Sequence, residues 1–211
     1  MNRLHIETPL IESLPLATES GGRAWLKVEA LQPSGSFKLR GIGHACQTYL
    51  SKGATRFISS SGGNAGIAVA YAGRQLGVPV TVVVPGSTPA RAVELIEQEG
   101  ADLIIQGESW QEAHDYARRI ADHKNILIHP FDDPLLWSGH GSMIDEIAGS
   151  GIVPDCVVLS VGGGGLLCGV IEGLIRNNME FVPVLAVETK GADSLAFSLQ
   201  GNHLRSLDEI T

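Results

Sequence analysis

One lysine lies between an aromatic residue and an arginine in the segment PSGSFKLRG, residues 33–41. The amine of a free lysine has a pKa near ~10.4, so it acts as a nucleophile at neutral pH only where burial or a neighbouring cation favours its neutral form. We expect the start of a helix and the charge of Arg40 to have this effect on Lys38. The alternative is a solvated lysine on an amphipathic helix, which the spacing alone does not exclude.

A second candidate site is the segment SSSGGNAG, residues 59–66, which follows a predicted strand and opens a predicted helix. The free backbone N–H groups and the helix dipole at such a helix start form an anion site, and a carboxylate fits it. The alternative is an ordinary helix N-cap by Ser61 or Asn64. Three serines, two glycines and an asparagine exceed what capping needs.

The third candidate site is the segment SVGGGGLLCG, residues 160–169, again between a predicted strand and a predicted helix. A loop of four glycines presents only backbone to a ligand, and such a nest suits phosphate. The segment is not a Walker A motif, because no Lys-Ser or Lys-Thr pair follows the glycines.

A nicotinamide-cofactor site is an alternative interpretation of this glycine loop. Glu188 ends the following strand at about the distance of a ribose-binding acid. The spacing weakens this interpretation, because Gly163, Gly165 and Gly169 form G-x-G-x-x-x-G, one residue longer than the dinucleotide fingerprint.

The elements that position these segments follow an α/β pattern, in which short β-branched runs alternate with longer stretches of helical periodicity. The pattern predicts strands at 24–29, 56–59, 80–84, 103–105, 126–128, 156–161 and 182–187, and helices at 39–50, 65–76, 89–100, 109–122, 136–147, 166–176 and 192–199. Ligands of open α/β sheets bind at the carboxyl ends of strands, where the three segments lie. The polar turn at 132–134 predicts a domain boundary.

The composition excludes several classes of protein. Of the 211 residues, 44% are hydrophobic and 18% are charged, so the chain can bury a core, and its net charge of -8 argues against a nucleic-acid partner. The first residues, MNRLHIE, lack an apolar signal core, and no apolar run approaches the ~20 residues of a membrane span. We therefore expect a cytoplasmic protein without a membrane or nucleic-acid partner. We interpret His44, His114, His129 and His140 as structural or surface residues, because they show no metal-ligand spacing.

Together the three segments resemble the serine/threonine dehydratase family of pyridoxal-phosphate enzymes, which has the tryptophan-synthase-β fold. The resemblance covers essentially the whole chain, and residues 131–135, FDDPL, and 187–189, VET, are most similar to the mammalian-type L-serine dehydratases. It implies two open parallel-sheet α/β domains: a large cofactor-binding domain of residues 1–38 and 134–211, and a small domain of residues 39–133.

The resemblance also implies a role for each site residue. Lys38 binds pyridoxal phosphate (PLP) as a Schiff base and then removes the α-proton of the substrate, Phe37 packs beside the cofactor ring, and Asn64 hydrogen-bonds its 3'-oxygen. The cofactor phosphate is held by Gly162, Gly163, Gly164, Gly165 and the Leu166 amide. The substrate carboxylate is held by Ser61, Gly62, Gly63, Asn64 and Ala65. Ser61 lies near the leaving hydroxyl, and either Ser61 or the cofactor phosphate donates a proton to it.

The implied reaction is an α,β-elimination that converts L-serine, and also L-threonine, to a 2-oxo acid and ammonia. The resemblance further implies a homodimer, and a monovalent cation, K+, bound with the help of Glu188. Other activities of the same fold are alternatives, namely serine racemase, threonine synthase and cysteine synthase, and so is a catalytically silent cofactor-binding protein.

Two departures from the family pattern bear on activity. Gly62 stands where some relatives carry alanine, at a position that the resemblance places against the substrate. The chain also stops at residue 211, short of family members, so we expect the large domain to be truncated at its C-terminus. The missing part would supply the group that faces the pyridine nitrogen. Without it, we expect weak cofactor binding and slow turnover.

Overall fold

The computed structural model describes residues 2–205 and 207. It consists of two compact units, residues 1–130 and 131–211. The first 38 residues therefore belong to the same unit as residues 39–130, and the division differs from the expected one. The prediction that residues 1–38 form one domain with residues 134–211 stays a prediction.

The first unit begins with an antiparallel pair of short strands that the sequence pattern does not reveal. Strands β1 (Leu10–Glu12) and β2 (Trp25–Lys27) pair in register, and helix α1 (Leu14–Ser20) joins them. Helix α1 buries none of its residues, so it has no apolar stripe for a periodicity argument to detect. The predicted strand at 24–29 is shorter in the structure, because a 3-10 helix (Glu29–Leu31) begins within it.

A four-stranded parallel sheet forms the centre of the first unit, as predicted. Its strands are β3 (Arg56–Ser59), β4 (Val80–Val84), β5 (Asp102–Ile105) and β6 (Asn125–Leu127), in the order β5-β4-β3-β6. The helices of this unit are α2 (Lys38–Ser51), α3 (Asn64–Leu76), α4 (Ala90–Gln98) and α5 (Trp110–Ile120). Each strand after β3 follows a helix, which is the connection that parallel pairing requires.

Helices cover both faces of this sheet, which explains why all five residues of β4 are buried. A Cβ built on Gly66 of α3 would lie 3.4 Å from Val82. The neighbouring Val83 packs with Ala113 and Ala117 of α5 instead. Because successive side chains of a strand point to opposite faces, α3 and α5 lie on opposite sides of the sheet.

Parallel pairing brings the carboxyl ends of the four strands to one edge of the sheet. The residues that follow these strands there are 60–63 after β3, 85–88 after β4, 106–109 after β5 and 128–130 after β6. This edge therefore collects one of the three candidate segments, residues 59–66, with three loops that come from elsewhere in the chain.

The second unit is a parallel βαβ arrangement with additional helices. Its elements are α6 (Pro134–His140), α7 (Ser142–Gly149), β7 (Val157–Ser160), α8 (Gly165–Arg176), β8 (Val184–Val187) and α9 (Ser194–Gly201). Strands β7 and β8 pair in parallel. The core of this unit is apolar and consists of Ile144, Leu159, Val161, Val170, Leu174, Met179 and Val182.

The prediction of one helix over residues 136–147 is wrong, because the chain forms α6 and α7 with Gly141 between them. A Cβ at Gly141 would lie 3.0 Å from the carbonyl oxygen of Gly169, and one at Gly173 would lie 2.7 Å from the carbonyl oxygen of Gly141. The junction therefore packs directly on the backbone of α8. Within the described part of the chain, no helix has both the length and the apolar character that a membrane crossing requires.

Candidate active site

Lys38 is the first residue of α2, and its amine is largely removed from water. Nζ donates a hydrogen bond to the carbonyl oxygen of Pro130 at 2.5 Å and lies 5.3 Å from the centre of the Phe37 ring. Burial lowers the pKa of Lys38 to about 8, because desolvation disfavours the charged ammonium. A substantial fraction of the amine is therefore neutral near physiological pH, as a nucleophile or a base requires.

The expectation that Arg40 lowers this pKa is wrong. Arg40 is fully buried, and its guanidinium donates two hydrogen bonds of 2.7 Å to the carboxylate of Glu29 and one of 3.2 Å to Thr8 Oγ1. The negative charge of Glu29 offsets the positive charge of Arg40, and desolvation accounts for the lowered pKa of Lys38. Arg40 instead joins α2 to the 3-10 helix and to the N-terminal segment.

Two serines of the lysine segment have buried hydroxyl groups without a protein partner. Ser34 is 8% exposed and Ser36 is 7% exposed. Neither hydroxyl makes a hydrogen bond within residues 2–205 and 207. A buried hydroxyl that stays unpaired costs about 1–3 kcal/mol, so these two groups lower the stability of the segment as it stands.

The segment after β3 is folded by its own serines. Ser59 Oγ accepts a hydrogen bond from the Ser61 amide at 3.3 Å, and Ser61 Oγ accepts one from the Gly63 amide at 3.2 Å. The N-cap residue of α3 is Gly63, and no side chain caps this helix. The alternative interpretation, an N-cap by Ser61 or Asn64, is therefore wrong. The first amides of α3 stay available to an anion.

Asn64 and Ala65 begin α3, and they differ in exposure. The side chain of Asn64 is exposed, whereas Ala65 is 4% exposed. At the next residue, a Cβ on Gly66 would overlap the carbonyl oxygen of Ser61. Glycine at this position thus allows the serine segment to fold back onto the first turn of the helix.

Gly62 contacts the loop that follows β4. A Cβ on Gly62 would lie 2.6 Å from Thr88 Cγ2, 3.1 Å from Thr88 Oγ1 and 3.4 Å from Val84 Cγ1. The side chain of Thr88 therefore occupies the space that an alanine at position 62 would need.

We expect Gly62→Ala to lower the free energy of unfolding by about 1–3 kcal/mol, because overpacking forces Thr88 out of its position. Thr88→Ser removes the methyl group at 2.6 Å, so the double variant Gly62→Ala/Thr88→Ser is expected to recover most of this loss. Urea unfolding of the wild type, both single variants and the double variant measures the coupling. If Gly62→Ala costs the same in the wild type as in the Thr88→Ser variant, the contact is contradicted.

The glycine loop opens α8 and packs against Phe131. A Cβ on Gly163 would overlap the Phe131 ring, and one on Gly165 would lie 2.6 Å from the Phe131 carbonyl oxygen. Gly164 has a φ of 83°, a left-handed conformation that favours glycine. A Cβ on Gly162 or Gly164 would meet no atom within 4 Å. The loop thus presents open space beside the free N–H groups at the start of a 12-residue helix.

Gly169 and Leu166 pack within the second unit. Gly169 is a packing residue, because a Cβ there would overlap His140 and lie 2.7 Å from the Trp137 carbonyl oxygen. Leu166, by contrast, packs on the core of this unit while its amide lies in the first turn of α8.

Glu188 caps α9. Its two carboxylate oxygens accept hydrogen bonds from the amides of Leu195 and Ala196, each at 2.8 Å. This contact stabilises the helix start and leaves the cation assignment of Glu188 as a prediction. Among the described residues, no three His, Cys, Asp or Glu side chains form a group that could hold a metal ion.

Sequence reasoning missed three partners of the site, namely Thr88, His114 and Pro130. His114 accepts or donates a hydrogen bond at 2.9 Å with Ser60 Oγ, through Nδ1. The one available signal was position, because residues 85–88 and 128–130 follow predicted parallel strands and therefore reach the same sheet edge as the serine segment.

The described residues fit the cofactor that the resemblance implies. Lys38 supplies a partly neutral amine for an aldehyde. The glycine loop supplies backbone donors for a phosphate, and the start of α3 supplies donors for a carboxylate.

Known proteins agree with this assignment. A model of the family "Pyridoxal-phosphate dependent enzyme" matches residues 1–210. The chain is 46% identical to human L-serine dehydratase/L-threonine deaminase over 211 residues, covering 99% of this chain and 64% of the relative. It is 45% identical over 226 residues to L-serine dehydratase of Dictyostelium discoideum, covering 99% and 65%.

A solved structure extends the likeness to three dimensions. The fungal L-serine ammonia-lyase from Rhizomucor miehei superposes with a TM-score of 0.94 at 36% identity, covering 100% of this chain and 68% of that one. The chain thus spans about 64% of the length of the human relative. The fold is the predicted α/β type, and because the family model matches nearly every residue, the chain belongs to the family of pyridoxal-phosphate-dependent enzymes.

Proposed function

We propose that this chain is the cofactor-binding part of a PLP-dependent dehydratase that converts L-serine, and also L-threonine, to a 2-oxo acid and ammonia. The observation that carries this proposal is Lys38, a partly buried lysine at a helix start with a pKa of about 8. The named activities of the human, Dictyostelium and Rhizomucor relatives support the same reaction.

We assign the cofactor contacts to three segments. Lys38 would bond to the aldehyde carbon of PLP, Phe37 would pack beside the ring, and Asn64 would donate to the 3'-oxygen. The phosphate would be held by the amides of Gly162, Gly163, Gly164, Gly165 and Leu166, at the start of α8. When bound, PLP supplies an electron sink that makes the α-proton of an amino acid acidic.

The chain's own residues then perform three tasks. The loop formed by Ser61, Gly62, Gly63, Asn64 and Ala65 holds the substrate carboxylate at the positive end of the α3 dipole. Lys38 accepts the α-proton at Nζ, since its lowered pKa gives a base that works near neutral pH. Ser61 is proposed to lie near the leaving β-hydroxyl and to donate a proton to it.

Three further assignments stay predictions. Glu188 contributes to a K+ site in addition to capping α9. The protein forms a homodimer, and it works in the cytoplasm on small amino acids.

Product analysis tests the proposed reaction. We expect the PLP-loaded protein to form pyruvate from L-serine and 2-oxobutanoate from L-threonine, each with an equal amount of ammonia. Product identity decides the question even where turnover is slow, because each alternative activity leaves a different product. D-serine without pyruvate would indicate a racemase, and a thioether formed from an activated serine and a thiol would indicate a synthase. PLP binding without any product would indicate a silent cofactor-binding protein.

A further inference from the structure

Ser60 is the central serine of the segment after β3, and its hydroxyl points away from solvent. The residue is fully buried, and Oγ shares a hydrogen bond of 2.9 Å with Nδ1 of His114. Its neighbours Ser59 and Ser61 use their hydroxyls within the segment itself. Ser60 is thus the residue that fixes the segment to another element, the first turns of α5.

His114 is itself held by two rings. It stacks on Trp110, with ring centroids 4.7 Å apart and an interplanar angle of 21°. It meets His129 edge to face at 5.9 Å and 83°. Burial, together with the nearby Arg118, lowers the pKa of His114, so the imidazole is neutral near pH 7. A neutral imidazole offers one donor and one acceptor, and Nδ1 serves Ser60.

The ring of His129 is also linked to Lys38, through the next residue in the chain. His129 is bonded to Pro130, whose carbonyl oxygen accepts the hydrogen bond from Lys38 Nζ. The ring cluster of Trp110, His114 and His129 is therefore joined to Ser60 by a hydrogen bond and to Pro130 by the peptide bond that follows His129. One cluster thus connects the serine segment to the residue that holds Lys38.

We propose that His114 is a positioning residue that sets the carboxylate-binding segment, residues 60–65, relative to Lys38 through its hydrogen bond to Ser60. This inference rests on the proposed function, since it assumes that residues 60–65 hold a substrate carboxylate. His114 does not touch the substrate. It acts by keeping the backbone of the segment in the conformation in which its amides face the ligand.

Two ligands and five variants test this inference. Glycine carries the carboxylate and glycinamide lacks it, and binding of each to the PLP-loaded protein is followed by the change in cofactor absorbance. His114→Phe keeps a ring on Trp110 but removes the partner of Ser60. We expect it to weaken glycine binding about tenfold, the effect of losing one buried hydrogen bond, and to leave glycinamide binding unchanged. The KM for L-serine is expected to rise by a similar factor, with a smaller change in kcat.

The remaining variants separate positioning from folding. Ser60→Ala removes the other half of the hydrogen bond and is expected to weaken glycine binding to a similar extent, without an additive loss in the double variant. His114→Asn places an amide near the position of Nδ1 and is expected to restore most of the glycine affinity. His123→Phe makes the same change at an exposed histidine, and its binding should equal that of the wild type.

Three results would overturn the inference. The first is an equal loss of affinity for glycine and for glycinamide. The second is a glycine affinity that stays at the wild-type value in both Ser60→Ala and His114→Phe, and the third is a glycine affinity that His114→Asn does not restore. If His114→Phe fails to fold, Ser60→Ala and His114→Asn still decide between these outcomes. The proposed function fails by a different observation, which is wild-type protein that forms no 2-oxo acid. Peptide mapping after borohydride reduction checks that each variant still carries PLP on Lys38.

Discussion

Replacing Lys38 with alanine is expected to lower pyruvate formation from L-serine by on the order of 10⁴-fold, because the substitution removes the proposed general base. It also removes the amine that bonds to PLP. The buried position, the hydrogen bond to the Pro130 carbonyl and the pKa of about 8 all concern this single nitrogen atom. Steady-state assays with a coupled lactate dehydrogenase measure the loss.

Lys52→Ala is the matched control, since it removes an exposed lysine at the other end of α2. Its activity should equal that of the wild type. Borohydride reduction followed by peptide mapping should label Lys38 in the wild type and leave the Lys38→Ala variant unlabelled. A label on another lysine, or substantial turnover without Lys38, would contradict the assignment.

The pH dependence of cofactor attachment identifies the same amine. Only the neutral amine attacks the aldehyde, and burial has lowered the pKa of Lys38 to about 8. The rate at which apo-protein takes up PLP is therefore expected to rise with pH below about 8 and to level off above it. A rate that keeps rising towards ~10.4, the pKa of a free lysine, would show that Lys38 is solvated.

Replacing Arg40 with alanine is expected to lower the free energy of unfolding by about 3–5 kcal/mol, because it leaves a mostly buried carboxylate without its partner. The side chains of Arg40 and Glu29 are 0% and 13% exposed, and their shortest N–O distance is 2.7 Å. Thr8 completes the network by donating to Glu29 at 2.6 Å. In a chain of this size, the corresponding fall in Tm is roughly 10 °C.

Two comparisons separate the buried charge from the mere loss of a side chain. The exposed pair Arg23 and Glu12 has a similar distance of 2.8 Å, with side chains 70% and 45% exposed, so Arg23→Ala should lower the free energy of unfolding much less than Arg40→Ala does. The double variant Glu29→Met/Arg40→Met replaces both charges and is expected to be more stable than Arg40→Ala alone. Urea unfolding measures all four proteins. Equal losses for Arg40→Ala and Arg23→Ala would contradict the assigned network.

Much of the fold follows from local pattern. The sequence pattern predicts strands at 56–59 and 80–84, and both strands have the same bounds in the structure. The helix that starts after residues 59–63 ends at Gly77, whose φ of 67° matches the predicted glycine stop. The break at Gly141 could not be predicted in this way, because both halves keep helical periodicity and the interruption depends on the packing of α8.

The sequence by itself determined which residues we propose to carry the chemistry, since Lys38, the serine segment and the glycine loop are recognised by residue type and by their places at strand ends. The tertiary structure alone decided how these residues behave. Burial lowers the pKa of Lys38, and its amine donates a hydrogen bond to the carbonyl oxygen of Pro130, 92 positions along the chain. Ser60 meets His114 across 54 positions. Such contacts depend on the strand order β5-β4-β3-β6, which local periodicity does not encode, because it reports which face of an element is apolar but not which element that face will meet.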